Sequence, residues 1–159
     1  MFKVLFLCTG NICRSPTAEG ILRDLAEKAG LSSQIIADSA GTDSYHIGDP
    51  PDHRSAEAVR VHYDIDISKQ TARRITIEDY EEFDLILGMA QSHVSFLQQN
   101  MPPNSRAQIG LFLNYLPEHG EEDVPDPWYG GEDGFYTVCD LIHNGCEALL
   151  DTIKNVHLK

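Results

Sequence analysis

Val4-Leu5-Phe6-Leu7-Cys8-Thr9-Gly10-Asn11-Ile12-Cys13-Arg14-Ser15-Pro16, with Phe2 and Lys3 before it, reads as a strand, a short loop and the start of a helix. The run from Phe2 to Leu7 is almost continuously apolar, as a strand buried on both faces requires. It stops at Cys8. Gly10 and Asn11 follow, and both tolerate a positive φ in a tight loop. Arg14-Ser15-Pro16-Thr17 then opens a helix, with Ser15 expected as its N-cap and Pro16 at its first position. A cysteine, five spacers and an arginine therefore share one strand–loop–helix turn.

That spacing has a chemical meaning. A tight loop feeding a helix N-terminus turns successive backbone N–H groups inward and cradles an anion. The helix dipole adds positive potential and favours the thiolate form of a cysteine at the loop's edge, here Cys8. Arg14 can close the far side with a bidentate fork onto two anion oxygens. A thiolate beneath a bound oxyanion is a nucleophile aimed at phosphorus. The loop lacks the Gly-Lys-Ser/Thr ending of a nucleotide P-loop, which argues against a nucleoside triphosphatase.

With Asp126-Pro127-Trp128-Tyr129-Gly130 late in the chain, this N-terminal motif resembles the low-molecular-weight protein tyrosine phosphatases. Asp38-Ser39-Ala40-Gly41-Thr42 and Phe83-Asp84-Leu85-Ile86-Leu87 look like segments of the same family, and the resemblance spans essentially the whole chain in order. It implies an α/β fold, three-layer α/β/α and Rossmann-like, with a central four-stranded parallel sheet in strand order 2-1-3-4. It implies a single domain over residues 1–159 and hydrolysis of phosphotyrosine or small aryl phosphates through a phosphocysteine on Cys8. Arg14 would bind the phosphate, and Asp126 would serve as general acid and base. Thr9, Gly10, Asn11, Ile12, Cys13 and Ser15 would surround the phosphate. Tyr45, Trp128 and Tyr129 would line the pocket, and Asn11, Ser15 and Ser39 would hold the loop in shape. No metal or cofactor is expected; inorganic phosphate would be product and inhibitor.

Composition sets outer bounds. A chain of 159 residues with 42% hydrophobic and 23% charged residues suits one domain with a real core. No apolar stretch approaches the length that spans a bilayer, and the N-terminal run is too short for a signal peptide, so a cytoplasmic monomer is the expectation. A net charge of −13 argues against nucleic-acid binding. It also repels a dianionic substrate at long range, leaving the local cradle to overcome it. Cys139 and Cys146, seven apart on the expected last helix, read as core residues. Cys13 lies in the same loop as Cys8, so a reversible Cys8–Cys13 disulfide under peroxide is expected to protect the nucleophile.

Elsewhere strands and helices alternate, which suggests a parallel sheet covered on both faces. Helices are expected over about Pro16–Ala29, from Asp49-Pro50-Pro51-Asp52 to Tyr63, over Ser92–Gln99 and over Gly134–Asn155. Strands are expected at Gln34–Asp38, Phe83–Met89 and Ala107–Leu111, with Ser39–Gly48 as a loop. Ala56, Val59 and Val61 are the expected buried positions of the second helix. Val138, Ile142, Cys146, Leu149 and Ile153 form an apolar stripe on the last. Two positions depart from the family pattern: Gln70 stands where a histidine is expected and Ala90 where an aspartate is common. The seven histidines show no catalytic spacing, and His46 is a candidate rim residue beside Tyr45.

Two other classes fit parts of the pattern. An arsenate reductase on this scaffold would need a relay pair of cysteines near Met89, which is absent, and Asp126-Pro127 favours hydrolysis. A phosphate-binding module without catalysis would have no use for both nucleophile and acid.

Overall fold

A computed structural model of the chain describes residues 1–129 and 131–158, and of Tyr129, Gly131 and Glu132 the backbone alone. The apolar N-terminal run forms β1 (Phe2–Cys8), with Val4 through Cys8 buried. Because side chains alternate across a strand, Val4, Phe6 and Cys8 enter one core, and Leu5 and Leu7 the other. Both faces are thus covered, which is why the run shows no polar alternation.

β1 pairs in parallel with β2 (Ile35–Gly41) on one side and β3 (Leu85–Gly88) on the other. β4 (Gln108–Leu111) extends the sheet beyond β3, giving the order β2-β1-β3-β4. The expected parallel four-stranded sheet is therefore observed. Helices α1 (Arg14–Lys28), α2 (His53–Tyr63) and α5 (Gly131–Thr152) pack on the Phe6 face. The opposite core lies beneath α3 (Asp79–Glu82) and α4 (Gln91–Asn100), through Tyr80 and Leu97. Phe6 meets Phe112 edge to face at 5.7 Å between ring centres. Burying such a side chain fully is worth about 1.5–3 kcal/mol. The α5 stripe is buried as expected, and all four cysteines are buried and free.

Several boundaries differ from the expectation. Helix α1 begins at Arg14, its N-cap is Cys13, and no side chain caps it. Ser15 lies inside the first turn because its hydroxyl is engaged with Cys8 and Asn11. Pro16 is the third helical residue, where the missing N–H has no intrahelical partner to lose. Strand β2 runs on through Ser39-Ala40-Gly41, expected as loop, because pairing with Phe6, Leu7 and Cys8 outweighs the low strand propensity of those residues. Asp52 caps α2, accepting the Arg54 N–H at 2.9 Å. The buried face of α2 is Ser55, Ala58 and Val59; of the other expected positions, Ala56 is half-buried and Val61 is exposed.

In an open parallel sheet the ligand crevice lies where strand order reverses, beyond the carboxyl ends of the strands. Here that point lies between β1 and β3, at their carboxyl ends. Cys8 stands on it.

Candidate active site

The loop from Thr9 to Cys13 leaves β1 beneath Cys8 and enters α1. Asn11 takes φ 59°, the left-handed conformation its side chain tolerates. Gly10 does not need a positive φ; a Cβ there would come within 3.0 Å of the His46 ring, which lies over the loop. Gly41 is required more strictly, since a Cβ would approach the Thr9 carbonyl oxygen to 2.6 Å. The end of β2 can therefore press against the loop, where Thr42 N–H donates to Cys8 O and Asp43 N–H to Thr9 O, each at 3.0 Å.

A chain of hydrogen bonds holds the loop from inside. Asn11 Oδ1 accepts the Arg73 N–H at 3.0 Å, so its amide Nδ2 faces the other way. That nitrogen donates to Ser15 Oγ at 2.8 Å and Ser39 Oγ at 2.9 Å. Ser39 Oγ in turn donates to Glu19 Oε1 at 2.6 Å. Ser15 Oγ, already an acceptor, lies 2.9 Å from Cys8 Sγ and can donate to it. Glu19 is buried on α1, and burial raises its pKa, against the pull of Ser39 and Arg23. Arg73 ties the outer edge by pairing with Asp38 at 3.0 Å and Asp79 at 2.9 Å.

Arg14 is buried to 8% exposure. Its Nη1 donates to the Val124 carbonyl at 3.1 Å, and its Nη2 lies 3.8 Å from Asp126 Oδ2. Asp126 Oδ1 accepts the Trp128 N–H at 3.0 Å, closing a tight turn that continues into a 3-10 turn over Pro127–Tyr129. Cys8, Thr9, Gly10, Ile12, Cys13, Arg14, Tyr45, Asp126 and Trp128 thus line one cavity of about 230 Å³ with Asp43 and His46. Trp128 and Tyr45 stand exposed at its mouth, and the Arg54 guanidinium lies 4.7 Å from the Trp128 ring centre. Asn11, Ser15 and Ser39 are buried behind it. The Tyr129 side chain and Gly130 lie outside the described residues.

Burial pushes the Cys13 thiol up to about 12, while a hydrogen bond with Ser55 acts the other way. Among the described residues no group of three or more His, Cys, Asp or Glu side chains is arranged to hold a metal ion. The two departures have visible consequences. Gln70 Nε2 donates to Pro16 O at 3.1 Å, bracing the start of α1, while its Oε1 is buried with no partner among the described residues. Ala90 offers no side-chain acceptor at the start of α4, and Asp123 takes the work, accepting the Gln91 N–H at 2.7 Å.

Glu19, Arg73, Asp123 and His93 are among the participants that escaped the motif reading. His93 is 3% exposed, and its Nε2 lies 3.0 Å from Thr9 Oγ1. Neither its spacing nor its neighbours in sequence mark it. The acidic Glu19, four residues before Arg23, reads as an ordinary helix-surface pair until the fold buries it.

A thiol, a tight loop and an arginine share one cavity at the switch point of a parallel sheet, the place where such folds bind ligands. The comparisons narrow the class. The family model for low molecular weight phosphotyrosine protein phosphatase matches residues 3–158, and the chain belongs to that family. It is 42% identical over 154 residues to the low molecular weight protein-tyrosine-phosphatase YfkJ of Bacillus subtilis, covering 97% of each chain. The crystal structure of YfkJ superposes with a TM-score of 0.90 at 40% identity, over 99% of this chain and 97% of that one. The human low molecular weight phosphotyrosine protein phosphatase is 39% identical over 151 residues, 94% of each chain. A Drosophila arginine phosphatase has a TM-score of 0.89 at 32% identity, over 96% of this chain and 98% of its own. The chain is therefore a hydrolase of phosphoric monoesters. The Drosophila likeness shows that the scaffold alone does not choose the group that carries the phosphate.

Proposed function

We propose that this protein hydrolyses phosphotyrosine, and small aryl phosphates, through a phosphocysteine on Cys8. The observation that carries the reading is the single cavity joining Cys8 and Arg14 to Asp126 and Trp128, residues more than a hundred positions apart in the chain. Trp128 and Tyr45 at the mouth supply flat apolar surface for an aryl ring, which favours a phenolic leaving group over an alkyl one. Tyr129 is assigned the same role from its place beside Trp128.

The steps follow from the residues. The phosphate displaces the weak Arg14–Asp126 contact, and the arginine fork takes two of its oxygens. The backbone from Thr9 to Ser15, with Gly10, Asn11, Ile12 and Cys13, surrounds the remaining charge. Cys8 thiolate attacks phosphorus in line while Asp126 gives a proton to the departing phenolate. Water then attacks the phosphocysteine, Asp126 takes its proton, and inorganic phosphate leaves. Phosphate is thus a product that also competes for the site. Nucleophile, acid and charge stabilisation all come from side chains and amides, so the scheme is complete without a metal or cofactor. The substrate is a phosphotyrosine protein or a small aryl ester met by a monomer. Four free thiols suit a reducing cytoplasm.

The test is hydrolysis of p-nitrophenyl phosphate at mildly acidic pH with EDTA and a thiol reductant. Turnover that EDTA leaves intact and inorganic phosphate inhibits competitively is expected. No turnover in the reduced protein would refute the reading.

Cys13 lines the same cavity as Cys8 and is assigned the role of resolving thiol. Peroxide oxidises Cys8 thiolate to a sulfenic acid and is itself reduced. Cys13 sulfur attacks that sulfur, a disulfide forms, and water leaves with the Cys13 proton. The high pKa of Cys13 makes this closure slower than attack by an exposed thiol. Mild peroxide should give reversible inactivation and a mass loss of about two protons. In Cys13→Ser, inactivation should become irreversible. A Cys8 sulfinate as the main product in the wild type would overturn the assignment.

A further inference from the structure

His93 sits in the first turn of α4, and one of its two ring nitrogens faces a partner of fixed character. Nδ1 lies 3.0 Å from the Ala90 backbone nitrogen, which can only donate. Nδ1 is therefore the unprotonated acceptor, and the ring proton is on Nε2. That N–H points at Thr9 Oγ1, 3.0 Å away. The reverse arrangement, with Thr9 donating, would set an Nδ1–H against the Ala90 N–H. The ring is held neutral: burial first, and the Arg14 charge second, push its pKa down to about 4, while Asp123 and Asp126 act the other way.

The ring is also placed firmly. Gly88, at the end of β3, lets α4 approach so closely that a Cβ there would lie 2.9 Å from His93 Cβ. Asp123 holds the Gln91 N–H, and Val124 N–H donates to Met89 O at 2.8 Å. Val124 O in turn holds Arg14. One short turn, residues 88–93, thus braces the phosphate loop on one side and the Asp126 loop on the other.

We infer that His93 is a positioning residue: it makes the Thr9 hydroxyl an acceptor on its inner side, so that the Thr9 O–H donates into the cavity, to a phosphoryl oxygen of the bound substrate. Thr9 lines the cavity with Cys8 and Arg14, and no described residue accepts its remaining proton. The Thr9 side chain thereby adds a directed donor to a cradle otherwise made of backbone amides and Arg14. This inference rests on the phosphatase reading above.

The test compares wild type, Thr9→Val, His93→Asn and the double variant, using p-nitrophenyl phosphate turnover and binding of inorganic phosphate by calorimetry. Asparagine keeps an acceptor for the Ala90 N–H but falls short of Thr9, so the fold is retained; thermal unfolding checks this. Each single variant should weaken phosphate binding and lower kcat/KM roughly tenfold, the scale of one hydrogen bond to a charged group. The double variant should be no worse than either single one, because both remove the same donor. His93→Gln, whose amide reaches Thr9, should recover most of the loss. Additive losses, or unchanged phosphate binding in folded His93→Asn, would overturn the inference. Those outcomes leave an active wild type, whereas failure of the phosphatase reading leaves a wild type without turnover.

Discussion

Cys8→Ser should remove p-nitrophenyl phosphate turnover, with a loss on the order of 10⁴–10⁶-fold, the scale seen when a covalent nucleophile is deleted. The serine hydroxyl has no general base beside it. Its nearest polar neighbour, Ser15 Oγ at 2.9 Å from Cys8 Sγ, is a neutral hydroxyl and too weak a base to take a hydroxyl proton. The scaffold that binds phosphate is left in place, because Asn11, Arg14 and the loop amides do not depend on the sulfur. Calorimetry on Cys8→Ser should therefore show phosphate binding within a few-fold of wild type. Turnover within tenfold of wild type would sink the nucleophile assignment. Loss of phosphate binding with a normal melting curve would mean that the thiolate, rather than the cradle, positions the anion.

The second large effect concerns Asp126, and its signature is selectivity among leaving groups. A phenolate that is stable on its own needs little help from a proton donor; a poor leaving group needs much. Asp126→Asn should cost about 10²–10⁴-fold in kcat for poorly leaving phenols, the usual span of general-acid catalysis, and clearly less for p-nitrophenol. Asparagine is preferred to alanine because its Oδ1 can still accept the Trp128 N–H, at 3.0 Å in the native turn, and so keep the aromatic wall in place. The slope of log kcat against leaving-group pKa is the decisive reading. Equal losses across a series of phenols would show that Asp126 shapes the loop and gives no proton.

Much of this was legible without coordinates. The order of strands and helices follows from where apolar runs and breakers fall, and β1, α4 and α5 lie within a few residues of their expected bounds. The strand-end cysteine and the arginine that opens α1 are neighbours in sequence, so local geometry alone brings them together. Boundaries set by pairing were harder. Ser39-Ala40-Gly41 has the composition of a loop and becomes strand because β1 lies beside it. Ser15 has the composition of a helix cap and instead lies within α1, its hydroxyl beside Cys8 Sγ. In both cases a tertiary partner outweighs a local preference.

The amino-acid sequence by itself determined the class of chemistry: a thiol and a guanidinium on one strand–loop–helix turn, and a carboxylate between two prolines. Those are properties of residue type and short-range spacing, which survive without the fold. Only the tertiary structure decided what surrounds them. It set Glu19, Ser39 and Asn11 in line behind Cys8, replaced the missing acidic cap at Ala90 with Asp123, and brought His93 across 84 positions to Thr9. Hydrogen bonds between distant segments leave no periodic trace in a sequence. A buried polar atom is satisfied by whatever the packed fold places within about 3 Å, and that depends on the register of the whole sheet.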